Sequence, residues 1–415
     1  MSQPQHTPTE VKKPAVLRLG VIPFLILNVA VAGAGVTWGV LRLREIEGRK
    51  SLPELRDEPL AVLPQYDRPA VISDADLQKV LHKLRPRLRG PRPKINEVDH
   101  ALRFWGVPAK FADRRCYSGR EMLSILTDYR RFSQAWGKNT PSLLFDDPRA
   151  PGVGLRTQEG NATASHVDHT VASLAEVGTP ADFQLIVPGD QPDTVRDRSF
   201  RDMLLHAAKT FSLNQTEYEW TAMVFALYMP TDGEWQTTEG QWISFDRLAD
   251  RIMRQKLLQG VCFGNHRLYS LVVLLRVDDR QRILSSDMRQ RILAHLREAT
   301  NRLVKHQSKE GYWDRNWEGS AWEERWNEQP PRSRRILATG HALEWWAMAP
   351  SEVLPEPKVI ERAAGWLTKT ILEMTDSQIS AGYTFLTHAG RALCLWRGKF
   401  PHEVYQPRAE GGKRS

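Results

Sequence analysis

The sequence predicts an all-α fold: an α/α toroid, a double ring of paired helices, preceded by one N-terminal transmembrane helix. Three observations carry that reading. Helices with one wet face alternate with helices that are apolar nearly all round in the second half of the chain. The alternation repeats about every 45 residues, within the range of stacked helix pairs. A long uncharged apolar run lies near the N-terminus.

Residues 1–18 read as a disordered polar tail. The apolar run follows from Leu19 to Leu41, with only Asn28 and Thr37 as polar members. As a helix its 23 residues rise about 35 Å, enough for a hydrocarbon core of about 30 Å. Ala30-Val31-Ala32 has the pattern of a cleavage site, but the run continues past it, which favours a retained anchor over a removed signal. Basic residues are nearly equal in number on its two sides; a short tail held inside by Lys12, Lys13 and Arg18 puts the body on the outer, periplasmic face. Gly35-x-x-x-Gly39 offers the small residues that close helix packing needs, and with it a homodimer through Gly35 and Gly39.

Residues 42–94 read as a Pro/Arg-rich spacer with one short helix near Asp74–Leu84. Its Arg85–Lys94 stretch suits anionic headgroups or a solvated linker equally well. Residues 95–396 read as the toroid domain. Four outer helices begin near 199, 244, 287 and 357; Phe200, Met203, Leu204, Ala207 and Phe211 show their spacing. Four inner helices begin near 214, 264, 337 and 382, as in Trp220–Met229 and Leu268–Leu275. The segments 96–105, 119–136 and 163–177 supply earlier members of the rings. Phe183–Val187 is the one tempting strand. Residues 397–415 read as a basic disordered tail.

The formal charge is +9, and it is uneven. Residues 1–115 and 397–415 hold 25 Lys/Arg against 14 Asp/Glu, whereas 116–396 hold 33 against 35. A near-neutral body argues against nucleic acid as a partner, and basic flanks fit a membrane surface. Cys116, Cys262 and Cys394 are far apart and form no C-x-x-C pair, so they read as buried structural thiols.

Leu303, Gln307, Gly311 and Trp313 form a Leu-x-x-x-Gln-x-x-x-Gly-x-Trp pattern after an amphipathic helix. It resembles the repeat of the squalene cyclase and protein prenyltransferase superfamily. The resemblance implies the ringed helix-pair fold. The cyclases' Asp-x-Asp-Asp and the prenyltransferases' Asp-x-Cys with a distant His are not found, so neither activity comes with it.

If the inner helices share one direction, their starts gather at one mouth. That brings together His266, His341, His388, Glu217 and Glu219, with Glu344 and Trp345 on the face of His341. His and Glu there are acid–base candidates: His266, His341, Glu219 and Glu344 as catalytic residues, Glu217, His388 and Trp345 as ligand contacts. The plainer alternative is that each His bonds a neighbouring backbone. His166-Val-Asp168-His169 has metal-ligand types but no further ligand by spacing, so no metal is assigned. No cofactor motif is present. Trp317 and Trp322, in a Trp- and Glu-rich insertion at 313–333, suit a sugar platform or lid, or else pack onto the rim. The expected function is binding of a ligand or partner at the cavity. The alternatives are an enzyme acting on a polyprenyl-like lipid or a saccharide, and a scaffold.

Overall fold

Trp220 to Met229 has no charged residue, and every residue in it is buried. Helices of this kind position everything that follows. The computed structural model describes residues 31–33, 35–39, 54–148, 150, 152–191, 193–230, 234–237, 239–319 and 332–407. The helices of its first half are α1 (Asp74–Lys83), α2 (Ile95–Trp105), α3 (Gly119–Thr127), α4 (Tyr129–Trp136), α5 (His169–Glu176), α6 (Phe200–Thr210) and α7 (Glu219–Tyr228). Then come α8 (Phe245–Arg254), α9 (Asn265–Gln281), α10 (Ser286–His306), α11 (Arg332–Met348), α12 (Pro357–Glu373), α13 (Asp376–Ala381), α14 (Tyr383–Leu395) and α15 (Pro401–Val404). The described chain is mostly helical. Short antiparallel hairpins join β1 (Leu144–Asp146) to β2 (Val153–Leu155), β3 (Gln184–Pro188) to β4 (Val195–Ser199), and β5 (Trp235–Gln236) to β6 (Trp242–Ile243).

Side-chain caps start the wet-faced helices. Ser118 with Glu121 and Ser199 with Asp202 form capping boxes at α3 and α6, and Ser244 and Ser285 cap α8 and α10. Their buried stripes run at helical spacing, as in Met288, Ile292, Leu296, Ala299 and Leu303 of α10. The dry helices pack in sequence: α2 against α5, α5 against α7, α7 against α9, α9 against α11, α11 against α14, and α14 back against α2. On the outside, α1 packs on α12.

The Gln307 motif ties neighbouring pairs together. Gln307 Nε2 donates to the carbonyls of Gly311 and Val359, both at 2.9 Å. The Trp313 indole N–H donates to Leu303 O at 2.7 Å. Gly311 has φ +105°, and a Cβ there would meet Arg362 O at 2.5 Å, so only glycine fits the turn.

The transmembrane reading is corrected. Among the described residues, no helix is long and apolar enough to cross a membrane. Within 19–41 the described helix covers 31–33 and 35–39; the other positions lie outside the described residues, as do 1–18 and 42–53. Gly35 and Gly39 have open space where a Cβ would stand.

Residues 54–94 also differ from a solvated spacer. Leu55, Val71, Ile72, Leu77, Val80, Leu81 and Leu84 are in the core. The prolines keep the chain extended, but the apolar residues between them pack. Residues 56–68 form a strap over the carboxyl ends of four dry helices, α7, α9, α11 and α14. Amides of Arg56 and Leu60 donate to Tyr228 O and Leu227 O at the end of α7. Arg280 and Arg276 of α9 donate to Ala61 O and Leu63 O. Gln65 and Tyr66 donate to Met348 O and Ala349 O beyond α11, and Arg68 N donates to Trp396 O beyond α14. The strap thus satisfies carbonyls that helix ends leave open. Residues 397–407 are ordered for a like reason: Arg397 pairs with Asp67 and Asp74 at 2.8 Å each, and Val404 and Tyr405 are buried. Residues 408–415 lie outside the described residues.

Candidate functional site

Each of the six dry helices buries an imidazole or carboxyl: His100 of α2, His169 of α5, Glu219 of α7, His266 of α9, His341 of α11 and His388 of α14. All six are buried. Ring centroids of His341 and His388 are 3.8 Å apart, those of His266 and His341 4.6 Å, and those of His266 and His388 5.8 Å. His100 stacks on His169 at 4.3 Å and meets His388 at 5.2 Å. Trp220 fills the gap between His169 and His266, with centroid distances of 4.5 and 4.4 Å.

Local sequence explains the closeness. Gly340 lets α11 approach α14, since a Cβ there would lie 2.9 Å from Ala389 N. The start of α9 is set by three residues in the left-handed region, Cys262 (φ +51°), Phe263 (φ +59°) and Gly264 (φ +76°). Two of them are not glycine, so this turn is strained.

A second polar layer adjoins the imidazoles. Glu344 Oε1 accepts from Arg103 Nη1 at 2.8 Å and Arg391 Nη1 at 2.7 Å. Its Oε2 accepts from His388 Nδ1 at 3.0 Å and lies 3.2 Å from His341 Nδ1. Arg103 and Arg391 reach on to Glu176, which also accepts from the Tyr269 hydroxyl. Two guanidiniums thus sit between two carboxylates, and the charge is balanced. Asp99 Oδ2 accepts from His169 Nδ1 at 2.8 Å and Thr170 Oγ1 at 2.6 Å.

Burial pushes the Glu344 carboxyl up, but Arg103, His388 and the bonds from both histidines outweigh it and hold it well below the usual carboxylate range. Burial, with neighbouring imidazoles adding to it, pushes His100, His266 and His388 well below the ordinary imidazole value. His341 is lowered too, burial outweighing Glu344. Burial raises Glu219, with Arg267 opposing from 3.7 Å. The centre is therefore a set of neutral imidazoles beside an ionised, clamped carboxylate.

Several polar atoms here have no hydrogen-bond partner: Nε2 of His169, His341 and His388, both ring nitrogens of His266, and both oxygens of Glu219. Two groups hold ligand atoms all within 4.8 Å of one another: Cys262, His266 and His341, and His341, Glu344 and His388.

The structure thus brings His266, His341, His388 and Glu344 together, with Glu219 buried on the neighbouring helix α7. Glu217 lies at the rim, 2.8 Å from His166 but not aligned for a hydrogen bond. His166, Asp168 and His169 do not form a cluster. Asp168 accepts from Thr221, and His169 turns to Asp99. Trp345 is fully buried against Trp346, its indole N–H unpartnered. Trp317 is not an exposed platform: it is 1% exposed and donates to Phe263 O at 3.1 Å, because a large aromatic gains more by packing onto the rim. Trp322 lies outside the described residues.

Sequence reasoning missed His100, Arg103, Glu176 and Arg391. The available signal was a lone charge inside an apolar helix, such as Arg391 in Tyr383–Leu395. No family model, curated protein or solved structure matches this chain.

Proposed function

We propose that the body is an α/α toroid and that its function is to bind a small polar ligand at its axis, through the imidazole layer. The cyclic packing of the six dry helices, with α1 on α12 outside, supports the toroid. One observation carries the ligand reading: five ring nitrogens of four buried histidines lack partners, while the adjoining Arg–Glu layer is fully paired. An unsatisfied buried polar atom costs about 1–3 kcal/mol. A fold that concentrates so many at one level is built for something that bonds them there.

The strap closes one end of the axis. The other end is partly open, with His166 22% and Glu217 19% exposed, and a ligand enters there. Imidazoles with centroids 3.8 Å apart are in contact, which leaves room at their free nitrogens for an ion or small molecule and not for a saccharide or lipid chain. The test is to denature the purified protein and identify what is released, beside a His341→Ala, His388→Ala double variant. Release of the same material from both, or of nothing from either, rejects the reading.

A second reading is catalysis. Glu219, raised by burial and so protonated at higher pH than an ordinary carboxyl, lies in the same interior as neutral imidazoles, which suits acid–base work on a polyprenyl-like lipid or saccharide reaching the open end. A turnover assay unaffected by His341→Ala and Glu219→Gln removes both from a mechanism.

A further inference from the structure

The geometry points to a metal site: Cys262, His266 and His341 form the donor set for one divalent d-block ion of the zinc type. This rests on the reading of the axis as a ligand site and names the ligand.

Glu344 Oε2 takes the Nδ1 side of both His341 and His388. That fixes each ring with its proton on Nδ1 and leaves Nε2 with a lone pair. In both rings Nε2 has no partner. A histidine bonded to a carboxylate through one nitrogen and bare at the other is the arrangement that orients imidazoles toward a metal. Glu344 is a positioning residue, because both its oxygens are already occupied by Arg103, Arg391 and the two rings.

His266 supplies the second nitrogen, beside that of His341. Both its ring nitrogens are unpartnered, it is 3% exposed, and its ring faces His341 edge-on. Cys262 supplies sulfur. It shares a group with His266 and His341 in which the ligand atoms lie within 4.8 Å of one another. Its strained left-handed backbone is a local cost met where the thiol is delivered to the imidazoles. Two imidazoles and a thiolate are a borderline-soft set that suits zinc-type ions and not calcium or magnesium, which take oxygen ligands. His169 lies farther off, behind Trp220, and belongs to Asp99.

The experiment strips the full chain with a chelator, reloads it with zinc or cobalt(II), removes free metal by gel filtration, and measures retained metal by mass spectrometry. One ion per chain is expected. His341→Gln and His266→Gln should each abolish retention, and the positioning variant Glu344→Gln should lower metal affinity about 10- to 100-fold. His295→Asn, on α10 outside this set, should retain it. The cobalt(II) form should show intense tetrahedral visible bands and a thiolate charge-transfer band that disappears in Cys262→Ser. Circular dichroism checks that each variant is folded. Retention no greater than in His341→Gln, weak octahedral bands, or a spectrum indifferent to Cys262→Ser would overturn the site. If metal fails but denaturation releases an organic ligand, the metal site falls and the axial binding reading stands. If neither is found, both fall.

Discussion

Gly340 of α11 lies against Ala389 of α14 so closely that a Cβ on the glycine would sit 2.9 Å from the alanine nitrogen and 3.0 Å from its Cα. This contact sets the spacing of His341 and His388, the next residue on one helix and the previous one on the other. Gly340→Ala must push two buried helices apart, so it should destabilise the protein by about 1–3 kcal/mol, the usual overpacking cost. Gly365 in α12 is the control, with nothing within 4 Å of its added Cβ. Gly365→Ala should stabilise by about 0.5–1 kcal/mol. Urea unfolding of both variants checks the pair; equal shifts would contradict the close approach.

Glu344 holds Arg103 and Arg391 in a buried layer. Glu344→Ala leaves the two guanidiniums with Glu176 alone, an uncompensated buried charge. A loss of about 3–5 kcal/mol is expected, as for a broken buried pair. A change below about 1 kcal/mol, the range of exposed pairs, would show that water reaches this layer.

Asp113 gives a pH dependence away from the site. The hydrogen bond from the Arg115 side chain lowers its pKa most; burial opposes, and the Arg115 amide and Arg87 add to the lowering. Its folded pKa lies below its unfolded value, so the unfolded state binds the extra proton first and stability rises with pH. The contribution is fully present above about pH 4, the ordinary carboxyl value, and is lost as pH falls toward the folded value. Asp113→Asn should flatten the acid side of a stability–pH curve. An unchanged slope would reject the assignment.

The strap makes its own prediction. Tyr66 donates its hydroxyl to Ala349 O at 2.6 Å and stacks on Trp396 at 5.3 Å. Tyr66→Phe keeps the ring and loses the bond, for a cost of about 0.5–1.5 kcal/mol. Tyr66→Ala loses both and should also make 54–68 more open to proteolysis. Protease resistance equal to the parent would mean the strap is held by its other bonds.

The alternation of wet and dry helices was legible because it is a local pattern: apolar spacing along ten to twenty residues dictates which faces hide from water. So were the strand at Phe183–Val187, found as Gln184–Pro188, though not the other five short strands, and the gathering of His266, His341 and His388. The strap was misread because prolines mark extension without saying whether the extended chain is solvated. Leu55 and Val71 looked like linker residues until a core was there to receive them.

By itself, then, the sequence determined which helices are buried and which histidines they carry; it put His341 and His388 near helix starts, whereas they lie mid-helix in Arg332–Met348 and Tyr383–Leu395. Tertiary structure alone decided the charges' partners. Arg103 meets Glu344 across 241 positions, and Arg391 meets Glu176 across 215. No local periodicity encodes such pairings; they exist only once the helices stand side by side, because a buried charge must find its opposite wherever the chain brings one.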